Sequence, residues 1–244
     1  MTGVERKIVF ALASMAVWGV ALPAAAETHD KIGISVTRDT VMADETKSPF
    51  TAYAEPLEIG LKNIIGIQVS QGAALDLGKQ SETITTAGGS IDGDGKWDII
   101  SLEVKDQGSS LLGGAQTTIQ AIQETDGTHN VIGLEAQAGT AVTLGEQASI
   151  TATVNPELVT TGSSGPYKNT RSYGMIVNGS VVELGPDATV ESSNGYDATG
   201  VLTQNEGGKT TLGDSARIQV SSPAGFVTGI FTKDKGTTIL GRNV

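Results

Sequence analysis

No cysteine occurs among the 244 residues. A disulfide framework is therefore excluded, and the fold must be held by burial and hydrogen bonding alone. Aromatic residues are scarce, at 4% of the chain, so no large aromatic core can form. Positive charge is also short: the formal net charge is −11. A chain of that sign is repelled by nucleic acid and by anionic membranes, and neither is expected as a partner. Histidine occurs twice, which leaves little material for imidazole chemistry. After about residue 22 no run is apolar enough to cross a membrane.

Glycine is abundant, with 32 copies, and the N-terminus carries a processing pattern. Glu5-Arg6-Lys7 precedes an apolar run from Ile8 to Leu22, then Pro23-Ala24-Ala25-Ala26. Small side chains at Ala24 and Ala26 suit a signal peptidase, so residues 1–26 read as a Sec-type signal peptide cut between Ala26 and Glu27. The exported remainder has 14 basic and 26 acidic residues. Residues 27–60 contain no repeat; they either cap the first repeat or stay unstructured.

Residues 61–244 are organised by one recurring word. Leu-Gly stands at Leu77-Gly78, Leu112-Gly113, Leu144-Gly145, Leu184-Gly185, Leu212-Gly213 and Leu240-Gly241, spaced by 35, 32, 40, 28 and 28 residues. A Gly-apolar step precedes it by about eleven residues, as in Gly133-Leu134, Gly174-Met175 and Gly200-Val201, and an Ala-x-Ile/Val step comes after it. Aligned on Leu-Gly, the types form columns. The leading strand gives Ile67/Val69, Leu102/Val104, Leu134/Ala136, Met175/Val177, Val201/Thr203 and Ile230/Thr232; the trailing strand gives Ile84, Ile119, Ile150, Val190 and Ile218, with a one-residue slip in the first two. The apolar period is 2, not 3.6, so each unit holds about three short strands separated by glycine turns. A β-sandwich also alternates, but it need not repeat one turn word six times. The expected fold is an all-β solenoid, a parallel β-helix, in which each inward Leu or Ile contributes about 1.5–3 kcal/mol against its copies above and below. The surplus length gathers at one corner, between the trailing strand of one unit and the leading strand of the next, where loops project without breaking a ladder.

The signal peptide, the absence of cysteine and the repeated G-ϕ…L-G-x-x-A-x-[IV] units together resemble the passenger region of bacterial autotransporters, in the pertactin-like group. The resemblance covers about residues 60–244. It implies a right-handed β-helix, export to the outer membrane or beyond it, and a C-terminal β-barrel translocator as partner. The chain departs from the pattern at Ile239-Leu240-Gly241-Arg242-Asn243-Val244, which falls inside a repeat and carries no barrel strands. The expectation is a segment truncated before its barrel, incomplete at the C-terminal end of the helix and periplasmic if it is the whole product.

Three catalytic or metal readings are weaker than their structural counterparts. Gly213-Asp214-Ser215-Ala216 resembles a serine-protease word, but the same slot holds Gly145-Glu146-Gln147-Ala148 and Gly185-Pro186-Asp187-Ala188. Ser215 therefore reads as a variable turn position, with no histidine held against it by a rigid frame. Asp92, Asp94 and Glu103 match the first, third and twelfth places of a calcium loop, but Lys96 stands where a ligand should be and Trp97 where the sharp turn needs glycine. A polysaccharide-cleaving β-helix needs clustered acids on one exposed sheet. The place before the Leu column reads Asp76, Leu111, Thr143, Glu183, Thr211, Ile239, with no two acids adjacent. No cofactor and no metal are expected.

The inserted corner is the better candidate. Trp97, Tyr167, Tyr173, Tyr196 and Phe226 lie in or beside its loops, and exposed aromatics suit protein or glycan contacts. The opposing reading folds these rings back over the stack. The expected function is a non-enzymatic, surface-displayed or secreted adhesin-like segment. The alternatives are a β-helical enzyme acting on polysaccharide or protein, and a ligand-free spacer.

Overall fold

A computed structural model of the chain describes residues 29–41, 50–53, 61–78, 83–88, 97–124, 128–157, 170–223 and 225–244. The described residues form strands and turns, without a helix. The first sheet runs β1 (His29–Val36), β4 (Leu61–Val69), β7 (Trp97–Val104), β10 (Thr128–Ala136), β13 (Arg171–Asn178), β16 (Ala198–Gln204) and β19 (Val227–Thr232). The second runs β2 (Thr40–Val41), β5 (Ala74–Asp76), β8 (Ser110–Gly113), β11 (Ala141–Leu144), β14 (Val181–Leu184), β17 (Lys209–Leu212) and β20 (Thr237–Leu240). The third runs β3 (Phe50–Tyr53), β6 (Thr83–Gly88), β9 (Thr118–Gln123), β12 (Ser149–Thr153), β15 (Thr189–Ser193) and β18 (Arg217–Ser221). Neighbours in each sheet are three elements apart in the chain, and β10 pairs in parallel with both β7 and β13. One coil thus gives one strand to each sheet, the parallel solenoid that the period-2 columns demand. β1, β2 and β3, from the segment before the repeats, form the first described coil, paired with β4, β5 and β6.

The columns stack in register. Ile67 pairs with Leu102, Leu102 with Leu134, Leu134 with Met175 and Met175 with Val201. On the third sheet Ile84, Ile119, Ile150, Val190 and Ile218 lie one upon another. These residues and the inward Leu and Val of the second sheet make one continuous core. A smaller inner cluster, Ile64, Ile99, Val131, Ala121, Ala152 and Val154, lies between the first and third sheets.

One column differs from its reading in the sequence. Leu112 is not in the Leu column: it pairs with Thr143 and is 50% exposed, while Leu111 pairs with Val142 and is buried. Gly113 takes the inward place opposite Leu144. The word Leu111-Leu112-Gly113-Gly114 can be read in two frames, and the turn chooses between them. A Cβ on Gly145 would meet Ala115 N at 2.7 Å and Gly114 C at 2.8 Å, so the turn glycine of that coil is Gly114. Leu144 fills the gap beside Gly113, where a Cβ would lie 2.7 Å from its Cδ2.

The turn glycines have a shared cause. A Cβ on Gly185 would stand 2.6 Å from Gly145 C, and one on Gly213 would stand 2.5 Å from Gly185 C. The backbone of the preceding coil leaves no space there, whatever the φ angle. Positive φ falls two residues later, at Gln116, Gln147, Asp187, Ser215 and Asn243, all between 57° and 60°. Gln147 N–H donates to Pro186 O (2.8 Å), Asp187 N–H to Asp214 O (2.9 Å) and Ser215 N–H to Arg242 O (2.8 Å). These bonds tie each turn to the next coil.

Candidate functional site

Two of the five aromatics named from the sequence, Tyr196 and Phe226, stand at the corner between the third and first sheets. Tyr167 lies outside the described residues, as do the signal peptide, its Ala26–Glu27 junction and Asp92 to Lys96 of the calcium-like loop. Trp97 opens β7, but its side chain also lies outside the described set. Tyr173 is on β13, partly buried beside an isoleucine stack. Tyr196 and Phe226 stand in corner turns of successive coils and are 36% and 79% exposed.

These last two turns are built rigidly. Ser222 Oγ donates to Tyr196 O (2.8 Å), and Gly225 N–H donates to Ser222 Oγ (3.0 Å). Phe226 N–H donates to Asp197 Oδ1 (3.0 Å), while Ala198 N–H donates to Phe226 O (2.9 Å). Arg171 Nε lies 3.7 Å from Asp197 Oδ2. The backbone beneath both rings is thus fixed before any ligand arrives, which lowers the ordering cost of binding.

A second constellation is invisible when acids are read only beside the Leu-Gly column. The outward face of the first sheet has two columns. One reads Ile32, Ile65, Ile100, Ile132, Tyr173, Thr199 and Thr228; the next reads Ser35, Gln68, Glu103, Glu135, Ile176, Leu202 and Phe231. Ile65, Ile100 and Ile132 are buried and form a cluster separate from the interior ones. Beside them Glu103 and Glu135 are adjacent in the stack. Both Glu103 oxygens accept: Gln68 Nε2 donates to Oε2 at 2.7 Å and Gln137 Nε2 to Oε1 at 3.0 Å, with Lys105 Nζ 3.5 Å from Oε2. Burial lifts the Glu135 carboxyl to about 7, and the charges of Glu103 and Asp98 push the same way.

Asp98 marks the lower edge of this group. Its Oδ1 accepts from Asn130 N–H (3.0 Å) and Asn130 Nδ2 (2.8 Å), and His129 Nδ1 is 3.5 Å away. Burial raises its carboxyl above the usual range against the opposing pull of Asn130 and His129. Asp98 and Glu103, the described acids within the span of the calcium-like count, therefore face different partners. Ser215 is one rung of the positive-φ turn ladder, at a different corner and in a different coil from His129. The second sheet offers an open groove lined by Asp39, Val41, Asp76 and the displaced Leu112.

No protein-family model, no curated protein and no solved structure matches this chain.

Proposed function

We propose that the chain is a passenger-type solenoid, exported and displayed at the cell surface or released, that binds an extended protein or glycan without catalysing a reaction on it. The observation that carries this reading is the pair of exposed rings, Tyr196 and Phe226, on hydrogen-bonded turns of consecutive coils. Parallel coils sit about 4.8 Å apart. A linear ligand lying along the stack would meet one ring after another. Rigid aromatics on a preorganised backbone are the usual anchors of such contacts. The passenger assignment rests on the resemblance in the repeat and the signal pattern, with a β-barrel translocator as the implied partner.

The test is binding of the labelled protein to a glycan array and to immobilised extracellular-matrix proteins. The expected result is retention on at least one surface. Tyr196→Ala with Phe226→Ala should weaken it by roughly thirtyfold, about 2 kcal/mol shared between the two rings. Unchanged binding of the double variant would remove the corner from the reading, and no binding on either surface would favour a spacer.

A second reading has its own observation. Glu103 and Glu135 pair an acceptor-only carboxylate with one whose carboxyl sits near 7. Two neighbouring carboxyls, one of them holding its proton near neutral pH, are what an acid–base pair needs for polysaccharide cleavage. Here wild-type protein would release reducing ends from polysaccharides, and Glu135→Gln would lower the rate by about a hundredfold or more. Absence of release from neutral and acidic polysaccharides would end this reading.

A further inference from the structure

Beside the rings of the corner runs a row of planar polar side chains. Arg171 on β13 pairs in register with Asn130 on β10, and its Nε stands 3.7 Å from Asp197 Oδ2 in the next coil. The three groups follow one another along the stack at the coil spacing of about 4.8 Å. Their coils are paired on both sides: β10 with β7 and β13, β13 with β10 and β16, β16 with β13 and β19. Tyr173 lies two residues beyond Arg171, on the same face of the strand. Tyr196 directly precedes Asp197.

These side chains keep hydrogen-bonding capacity in reserve. Asn130 Nδ2 donates to Asp98 Oδ1 at 2.8 Å, while Asn130 Oδ1 accepts nothing among the described residues. Arg171 is 46% exposed and holds no side-chain hydrogen bond among the described residues. Asp197 Oδ1 accepts from Phe226 N–H at 3.0 Å, and Oδ2 faces the guanidinium. The row thus offers an amide acceptor, a fork of N–H donors and a carboxylate acceptor, in that order.

A sugar hydroxyl both donates and accepts, so it needs the two kinds of partner side by side. The C–H face of a pyranose ring covers an aromatic face, which Tyr173 and Tyr196 supply. Protein anchors, by contrast, are side chains sunk in desolvated pockets. Donors and acceptors beside partly exposed tyrosines do not make such a pocket. Charge narrows the class further. Arg171 is matched by Asp197 and the chain carries −11, so a polyanion gains no net attraction here.

We infer that this corner takes a neutral, extended glycan: Asn130, Arg171 and Asp197 hydrogen-bond its hydroxyls, and Tyr173 and Tyr196 lie under its rings. The inference rests on the binding reading above and names the ligand class that reading leaves open.

The test is retention of the labelled chain on immobilised neutral oligosaccharides, on their uronic-acid and sulfated counterparts, and on deglycosylated matrix proteins. Wild type should hold to a neutral glycan. Its affinity should change by less than about twofold between low and high salt, because no net charge is exchanged. Arg171→Gln should weaken binding by roughly tenfold or more. Arg171→Lys should not restore it, since an ammonium is a point charge without the planar fork. Both changes fall at an exposed site, and circular dichroism with thermal melts checks that the fold is kept. Retention on acidic glycans alone, or on deglycosylated protein alone, would overturn the inference and leave the binding reading standing. Neutral-glycan binding that survives Arg171→Gln, or that Arg171→Lys fully rescues, would do the same. Retention on none of the surfaces would remove both.

Discussion

The middle coils and the last coils use the same words and reach different burial. Leu144 and Leu184 are 1% and 3% exposed; Leu240, in the same column, is 50% exposed. The interior chemistry changes too. Val142 and Val182 give way to Thr210 and Thr238, and Val177 gives way to Thr203 and Thr232. The hydroxyls pair with one another: Thr203 Oγ1 and Thr210 Oγ1 at 2.7 Å, Thr232 Oγ1 and Thr238 Oγ1 at 2.7 Å. A leucine in this fold is therefore not buried by its own coil. Its neighbours bury it, and in the later coils threonines that pair with one another, buried in the case of Thr203 and Thr210, stand where the middle coils have valine.

The sharpest way to break the comparison is a buried charge. Leu184→Asp puts an unpaired carboxylate between two coils and should cost about 4–5 kcal/mol or more. Leu240→Asp leaves its carboxylate in water and should cost below about 1 kcal/mol. Urea denaturation of both variants measures the difference. Equal costs would mean that the last coils are packed as tightly as the middle ones.

Glycine gives the next largest contrast. Gly174 and Gly229 share a column on the first sheet. A Cβ on Gly174 would meet Val190 Cγ1 at 2.4 Å and Gly200 O at 2.7 Å, whereas one on Gly229 would meet nothing within 4 Å. Gly174→Ala should therefore destabilise by about 1–3 kcal/mol through overpacking. Gly229→Ala should be neutral or stabilise by up to about 1 kcal/mol, because alanine loses less backbone freedom on folding. Thermal melts of the two proteins, with opposite signs expected, check this.

The acids sharpen the same comparison through pH. In the outward column of the first sheet the middle coils carry Glu103 and Glu135, while the later coils carry Ile176, Leu202 and Phe231. Glu135 has its carboxyl raised from 4.5 to about 7 by burial and by the neighbouring acids. Between those values the folded chain holds a proton that the unfolded chain has released. Stability from this group is full below about 4.5 and is lost as the pH climbs through about 7, a change of at most about 3 kcal/mol. Asp98 shifts the same way. Glu135→Gln should thus be more stable than wild type at pH 8 and close to it at pH 5. Urea midpoints at both values decide, and a variant that loses stability at pH 8 would contradict the burial.

Much of this architecture is legible because a solenoid writes its contacts in the sequence at a fixed offset. Ile67, Leu102, Leu134, Met175 and Val201 line up from spacing alone, and the structure pairs them so. Leu112 is misplaced when its glycine is matched before the turn is counted. The spacing itself holds the correction: Gly114 stands five residues before Ile119, as Gly145 stands five before Ile150, so the shifted frame removes the slip at Ile119. The Glu103–Glu135 pair escapes for another reason. Acids beside Leu-Gly belong to the second sheet, whereas this pair occupies the outward place of the leading strand, a separate column. The burial of Ile65, Ile100 and Ile132 is not written in the sequence at all, since alternation distinguishes two faces of a sheet without saying which face meets water.

The smallest expected effect lies on the outward face of the second sheet. Glu183 on β14 is flanked in register by Thr143 on β11 and Thr211 on β17. It is exposed, beside the buried Leu184. Glu183→Thr would make an unbroken run of three threonines. That run favours the strand, because β-branched side chains fit a pleated surface and threonines in stacked strands can share hydrogen bonds. Thr211 Oγ1 has no hydrogen-bond partner among the described residues, and a hydroxyl at position 183 would offer one. The substitution also removes one negative charge from a chain of net charge −11. Against these gains stands only the loss of a solvated carboxylate that holds no salt bridge among the described residues. The change should stay within about 0.5 kcal/mol and lean toward stabilisation. If Glu183→Thr cost as much as Leu184→Asp, the two positions would not lie on opposite faces, and the register that separates inside from outside would be wrong for the middle coils as well as for the last.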